Sequence, residues 1–219
     1  MKRGIKLLIF DFDGTIADTR HVYYTAMKEE LKFLRLKGKY IRKPWLSDKD
    51  IDKAIDVGLS LRKTLRKLGL SFIVSWFMHK KIMFKIKKYV EKVKKCKDVD
   101  SIKQIKGEKI LISNSLREFM MPIIKHFKLK SYFKEIYGAD DFDDKAAFIK
   151  NYLKKRKIKK NECLYIGDRV ADVKTARKAG CLSVIVTGKC AWDSRSEIIK
   201  AKPDFIIDDI AEVSSIISR

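Results

Sequence analysis

Residues Ile5–Thr15 read IKLLIFDFDGT. An almost unbroken apolar run, Ile5–Phe10, stops abruptly at Asp11, Asp13 and Gly14. A strand buried on both faces reads this way, because a parallel sheet is covered by helices on both sides. Carboxylates directly after the run put polar chemistry at the strand's carboxyl end, where open α/β sheets carry their sites.

Similar short runs recur at Lys109–Ser113, Glu135–Tyr137, Cys163–Ile166, Ser183–Thr187 and Phe205–Ile207. Helical patterns separate them at Leu116–Phe127, Ala146–Lys155, Val170–Lys178, Ser194–Ala201 and Ile210–Ile217. This alternation predicts an α/β protein with a doubly wound parallel sheet. Residues 19–99 break it. They read as helices at Arg20–Lys37, Asp50–Val57 and Leu61–Leu68, then one long helix or a helical pair over Phe72–Lys95. The organisation expected is a core from residues 1–18 and 100–219 with a helical insertion, 19–99, after the first strand. SFIVSWFM, Ser71–Met78, is expected to form the packing core of the insertion, and the lysine run Lys85–Lys97 a solvated helix face.

The formal net charge is +23, from 51 Lys and Arg against 28 Asp and Glu, and well over half of the excess lies in the insertion. Such a field attracts phosphorylated metabolites, nucleic acid and acidic membranes without choosing among them. Cys96, Cys163, Cys181 and Cys190 show no paired metal-binding spacing, so zinc is not expected and reduced thiols in a cytoplasmic protein are. Asp11 and Asp13 interrupt the first apolar run too early for a leader peptide, and Ser71–Met78 is too short to span a bilayer. No membrane partner is expected, and nucleic acid is not the favoured one.

Four patches follow predicted strands: Asp11–Thr15; Ser113 and Asn114; Lys145, opening a helix; and Gly167–Asp172. A parallel sheet brings all four to one edge. Together they suit phosphoryl transfer. One carboxylate can attack phosphorus. A second, two residues on, can protonate the leaving oxygen and then activate water. A hard divalent cation with oxygen ligands offsets the negative charge, and a hydroxyl and an ammonium hold the remaining phosphoryl oxygens.

In order and content the patches resemble the four motifs of the haloacid dehalogenase-like superfamily: DFDGT at Asp11–Thr15, Ser113 within LISNS, Lys145, and LYIGDRVADVKTARKAG around Asp168. The resemblance implies a Rossmann-like core with a small helical cap, in the branch of the phosphoglycolate phosphatases and β-phosphoglucomutases. It implies Asp11 as nucleophile and metal ligand. It implies Asp13 as general acid and base, its carbonyl also touching the metal, Mg2+. Ser113, Asn114 and Lys145 would bind phosphate or substrate, Asp168 would be a metal ligand, and Thr15 and Asp172 would support the site. The related enzymes usually follow the lysine with proline, whereas here Ala146 follows. His21, Gly58 and Arg62 of the cap would set specificity, with Gly58 the pivot of a turn that dips towards substrate, and cap closure would exclude water.

A phosphatase acting on a small phosphomonoester such as phosphoglycolate, a sugar phosphate or a nucleotide is the expectation. A phosphomutase of the same superfamily, and a nucleic-acid-binding protein using the basic insertion, stay open. The sequence does not name the substrate or the oligomeric state.

Overall fold

The computed structural model describes residues 4–35, 47–55 and 61–218. In chain order the strands are β1 (Leu7–Phe10), β2 (Ala17–Asp18), β3 (Lys94–Lys95), β4 (Glu108–Ile112), β5 (Glu135–Tyr137), β6 (Cys163–Gly167), β7 (Leu182–Val186) and β8 (Phe205–Ile207). The helices are α1 (Arg20–Arg35), α2 (Asp48–Ile55), α3 (Leu61–Lys67), α4 (Phe72–Lys88), α5 (Arg117–His126), α6 (Lys145–Lys155), α7 (Val170–Ala179), α8 (Arg195–Ala201) and α9 (Val213–Ser218). The chain divides into two compact units, one of residues up to Asp18 with Lys94–Arg219, the other Thr19–Val93.

The first unit is built on a six-stranded sheet in the order β5-β4-β1-β6-β7-β8, every pairing parallel. The strand order reverses between β1 and β6, so β1 is central and Leu7, Leu8, Ile9 and Phe10 are all fully buried. On one face Leu7, Ile9, Ile110, Ile112 and Tyr165 pack with Ile149 of α6 and Ala176 of α7. Each buried Leu or Ile contributes roughly 1.5–3 kcal/mol relative to exposure. The continuous apolar runs are therefore what this sheet requires.

The structure departs from three sequence expectations. The helix expected over Phe72–Lys95 ends at Lys88. After a short 3-10 turn at Val90–Lys92 the chain becomes extended, and Lys94 and Lys95 pair antiparallel with Asp18 and Ala17 in the first unit. Backbone pairing, to which lysine side chains are no obstacle, overrides the apparent helical period of this run. The four cysteines are not all reduced thiols either. Cys96 and Cys190 form a disulfide, while Cys163 and Cys181 are free and buried with their sulfurs 3.5 Å apart. The bonded pair is 94 positions apart in the chain, so no local spacing announces it.

The second unit packs α1 against α2 and α4, and α3 against α2 and α4. Val22, Ala26, Met27 and Leu31 of α1 lie one helical turn apart and are buried with Met78, Ile82, Met83 and Ile86 of α4. Lys85 of α4 pairs with Glu29 and Glu30 of α1 at 2.7 and 3.2 Å. The expectation for SFIVSWFM holds for Ser75 and Met78, which are buried, but Phe72, Ile73, Trp76 and Phe77 are exposed. Among the described residues, no helix is long and apolar enough to cross a membrane.

Candidate active site

The ends of β1, β4 and β6 and the start of α6 converge at one edge of the sheet. Asp11 leaves β1 with its N–H bonded to the carbonyl of Ile166 at 2.8 Å, so the neighbouring strand fixes its backbone. The chain then turns tightly: Ile16 and Ala17 donate to the carbonyl of Phe12, and Gly14 donates to that of Ala17. Gly14 sits at φ +74, and a Cβ there would collide with the Asp168 carboxylate and with Trp192. Both the left-handed backbone and the close approach require glycine.

Asp11, Asp168 and Asp172 are all buried, and a carboxylate oxygen from each lies within 4.8 Å of the others. Asp168 is held at both oxygens. Thr15 donates its hydroxyl to Oδ1 at 3.2 Å and the Trp192 backbone N–H donates to Oδ2 at 2.7 Å. Asp172 is the third residue of α7 and accepts the N–H groups of Asp168 and Arg169 at 3.2 and 3.0 Å and the Tyr165 hydroxyl at 3.1 Å. It caps the helix and at the same time belongs to the carboxylate group.

Among the described residues, Lys145 supplies the ammonium in contact with this group. It is the first residue of α6, whose N-cap Asp144 accepts the Ala147 N–H at 3.0 Å. Its Nζ lies 3.3 Å from Asp11 Oδ1 and 3.6 Å from Asp172 Oδ1. Burial alone would lower its basicity, but Asp11 and Asp172 outweigh burial and hold the ammonium above the ordinary lysine value. Burial chiefly, with Asp172 and Asp13, pushes the Asp11 carboxyl up to about 7 against the pull of Lys145. Burial, Asp172 and Asp11 push Asp168 far above the ordinary carboxyl range. Three buried carboxyls around one ammonium form a site short of positive charge. A divalent cation with a preference for oxygen ligands fits that deficit and would restore the carboxylates to their ionised form.

Asp13 is half-buried. It accepts the Ser113 hydroxyl at 3.2 Å and the Ser115 hydroxyl at 2.6 Å. Ser113 is buried just past β4 and its oxygen also accepts the Ser115 N–H at 3.0 Å, while Asn114 between them is half-buried. Direct contacts thus join Asp11, Lys145, Asp172, Asp168 and Thr15 in one set, and Asp13 with Ser113 in a second. Of the residues read as specificity determinants, His21 is exposed near the start of α1, and Arg62 is exposed on α3, beside Lys63 and Arg66. Gly58 lies outside the described residues.

Three members of the arrangement escaped sequence reasoning. Ser115, two positions past Ser113, could have been found from that shared turn. Tyr165 sits within the β6 apolar run and looks like core. Trp192 contributes a backbone N–H from the loop after β7, for which a sequence holds no signal.

A family model described as haloacid dehalogenase-like hydrolase matches residues 8–186. The chain is 22% identical to a phosphoglycolate phosphatase of Vibrio parahaemolyticus, over 99% of this chain and 98% of that protein. It is 24% identical to a phosphoglycolate phosphatase of Photorhabdus laumondii, over 98% and 93%. The match to that of Vibrio vulnificus, at 27% identity, covers only about half of either chain, 49% and 47%. Among solved structures, a hydrolase from Pseudomonas syringae superposes with a TM-score of 0.77 at 18% identity, covering 96% of this chain and 97% of that one. A haloacid dehalogenase-like family hydrolase from Streptococcus pneumoniae gives 0.75 at 19%, covering 97% and 98%. The chain therefore belongs to the haloacid dehalogenase-like hydrolases, as a phosphatase on the phosphoglycolate phosphatase-like branch of that family.

Proposed function

We propose that the chain hydrolyses a small phosphomonoester, of the size and charge of phosphoglycolate, through an acyl phosphate formed on Asp11, with Mg2+ as cofactor. The observation that carries this reading is the buried contact of Asp11 with Lys145 inside the group Asp11, Asp168 and Asp172. Asp11, Asp168 and Asp172 would hold the ion directly or through water, with the Asp13 carbonyl as a further ligand. Bound there, it would offset the charge of the phosphoryl group and of the carboxylates around it.

The side chains divide the remaining work. Asp11, fixed by its backbone bond to β6, attacks phosphorus and releases the alcohol. Asp13 gives a proton to the departing oxygen and takes one from the water that later cleaves the Asp11 acyl phosphate. Ser113 and Ser115 hold the Asp13 carboxyl in place through their hydroxyls. Lys145 and the Ser113 region cradle the phosphoryl oxygens while the ammonium opposes protonation of Asp11. Asn114 contacts the substrate, and His21, Gly58 and Arg62 select what the phosphate is attached to.

The test is phosphate release from phosphoglycolate, a sugar phosphate, a nucleoside monophosphate and a chromogenic aryl phosphate, with magnesium and with chelator. Asp11→Asn should abolish release with an unchanged circular dichroism spectrum, because the amide is nearly isosteric but cannot form the acyl phosphate. Turnover by that variant, or full turnover in chelator, would overturn the assignment.

A further inference from the structure

The helical unit carries a second surface with its own chemistry. Between Leu61 and Lys88 the chain has nine Lys or Arg and no Asp or Glu. On α4 the large side chains Phe72, Ile73, Trp76, Phe77 and Phe84 are 47–77% exposed. At 3.6 residues per turn, Ile73, Phe77 and Phe84 fall on one stripe with Trp76 beside it, while Met78, Ile82 and Ile86 point to the buried side. Three of the rings have a lysine four positions on, poised over them. Lys80 Nζ is 3.9 Å from the Trp76 centroid, Lys81 5.3 Å from Phe77 and Lys88 4.7 Å from Phe84. Phe72 and Trp76 also line a pocket of about 280 Å³ together with Arg62, Lys63 and Arg66 of α3.

An exposed apolar face of this extent marks an interaction surface rather than scattered surface residues. Its charge selects the partner. A second copy docked on the same face would set Lys80, Lys81 and Lys88 against identical lysines, and Leu61–Lys88 has no carboxylate to answer them. An anionic partner is complementary. The repeated ring-plus-cation pairs, and a concave pocket with aromatic and cationic lining, fit a flat base with a phosphate at its side. A lipid surface would match the charge but leave the pocket unexplained.

We propose that the α3–α4 face binds single-stranded nucleic acid, unpaired bases stacking on Trp76, Phe77, Phe84 and Phe72 while Arg66, Lys80, Lys81 and Lys88 take phosphates. Trp76 and Phe84 are about 12 Å apart along the helix axis, the span of a few nucleotides. A duplex hides its base faces and is the poorer ligand.

The experiment is fluorescence anisotropy with a labelled 15-nucleotide oligo-dT and oligo-U, neither bearing a terminal phosphate, across a salt series. A hairpin duplex, phosphatidylglycerol vesicles and sedimentation velocity of the protein alone run in parallel. The wild-type chain should bind single strands with a dissociation constant on the order of micromolar at low salt, and the duplex more weakly. Trp76→Ala/Phe77→Ala/Phe84→Ala should bind at least about tenfold more weakly with the salt slope unchanged. Lys80→Gln/Lys81→Gln/Lys88→Gln should flatten the log–log salt slope by about 2. All six side chains are on the surface, and thermal melting checks the fold. Should the triple ring variant melt early, Trp76→Ala alone is read, with about a fivefold loss expected. The proposal falls on any of four results: no strand binding at low salt, undiminished binding by the ring variants, binding to vesicles but not strands, or a dimer that the ring substitutions dissolve with no strand bound.

Discussion

Lys145 Nζ lies 3.3 Å from Asp11 Oδ1, although the two residues are 134 positions apart in the chain. Both side chains are buried, 7% and 10% exposed. A buried ion pair of this kind is a poor stabiliser, since two charges must leave water to make it. Its value lies in opposing the protonation that burial favours at the Asp11 carboxylate.

Lys145→Met should therefore act on catalysis before it acts on folding. Removing a charged donor from a phosphoryl cradle costs about 10²–10³ in turnover. Lys145→Arg should not rescue it, because the planar guanidinium needs more room than this enclosed position leaves. Phosphate release with matched melting curves checks both, and an unchanged kcat/KM in Lys145→Met would remove the lysine from the site.

Asp168 and Asp172 should separate under substitution. Asp168 takes one hydroxyl and one backbone N–H, whereas Asp172 takes two N–H groups at the start of α7 and the Tyr165 hydroxyl. Asp168→Asn is expected to raise the magnesium requirement sharply with little change in melting temperature. Asp172→Ala should cost on the order of 1–3 kcal/mol of stability, from the lost cap and the buried groups left without an acceptor. Its effect on the magnesium requirement should be the smaller of the two. Melting and magnesium titrations of both variants decide this, and a reversed order would mean that Asp172 is the principal ligand.

What could be read in advance follows a physical division. β1, β4 and β6 were legible because a strand buried on both faces has to be apolar throughout, and the change to Asp11, Ser113 and Asp168 at their ends is abrupt. That Asp11, Asp168 and Asp172 meet follows from parallel pairing of β1 with β6. Trp192 was not legible because it acts through its backbone. Phe72, Ile73, Trp76 and Phe77 were misread as core because apolar character alone does not distinguish a buried face from an exposed one. Lys94 and Lys95 were misread as helix because their pairing partners, Asp18 and Ala17, are remote in sequence.

The Cys96–Cys190 disulfide closes 94 positions of chain, and Cys190 stands two residues before Trp192, whose N–H holds Asp168. Cys96→Ser/Cys190→Ser should lower stability by roughly 2–5 kcal/mol, as expected for removing a long-range crosslink. It should also weaken magnesium binding several-fold, since the loop that fixes Asp168 loses its anchor. Mass spectrometry after alkylation tests the premise. With the chain unfolded in denaturant, two modified thiols without reductant and four after a dithiol reductant are expected. Four without reductant would remove the crosslink and the prediction with it.

Glu108, at the start of β4, is held by Arg156 and by Lys134 at 2.8 Å, with 24% of its side chain exposed. Hydrogen bonding to Arg156 leads, and Lys134 adds to it, so the carboxyl is drawn from the ordinary 4.5 down to about 2. The folded protein thus binds fewer protons here than the unfolded chain between those values, and stability rises with pH across that window. The contribution is complete above about pH 4.5 and disappears as pH falls towards 2. A shift of this size would correspond to about 3 kcal/mol if fully expressed, but Arg156 and Lys134 are 34% and 54% exposed, so water screens the cluster and the share retained is on the order of 1–2 kcal/mol. Glu108→Gln keeps the shape and removes the charge. The stability gap between wild type and variant, followed by urea unfolding from pH 7 to pH 2.5, should be widest near neutrality and close towards the acid end, and added salt should narrow it. A gap independent of pH would mean that the contacts of Glu108 act through packing alone.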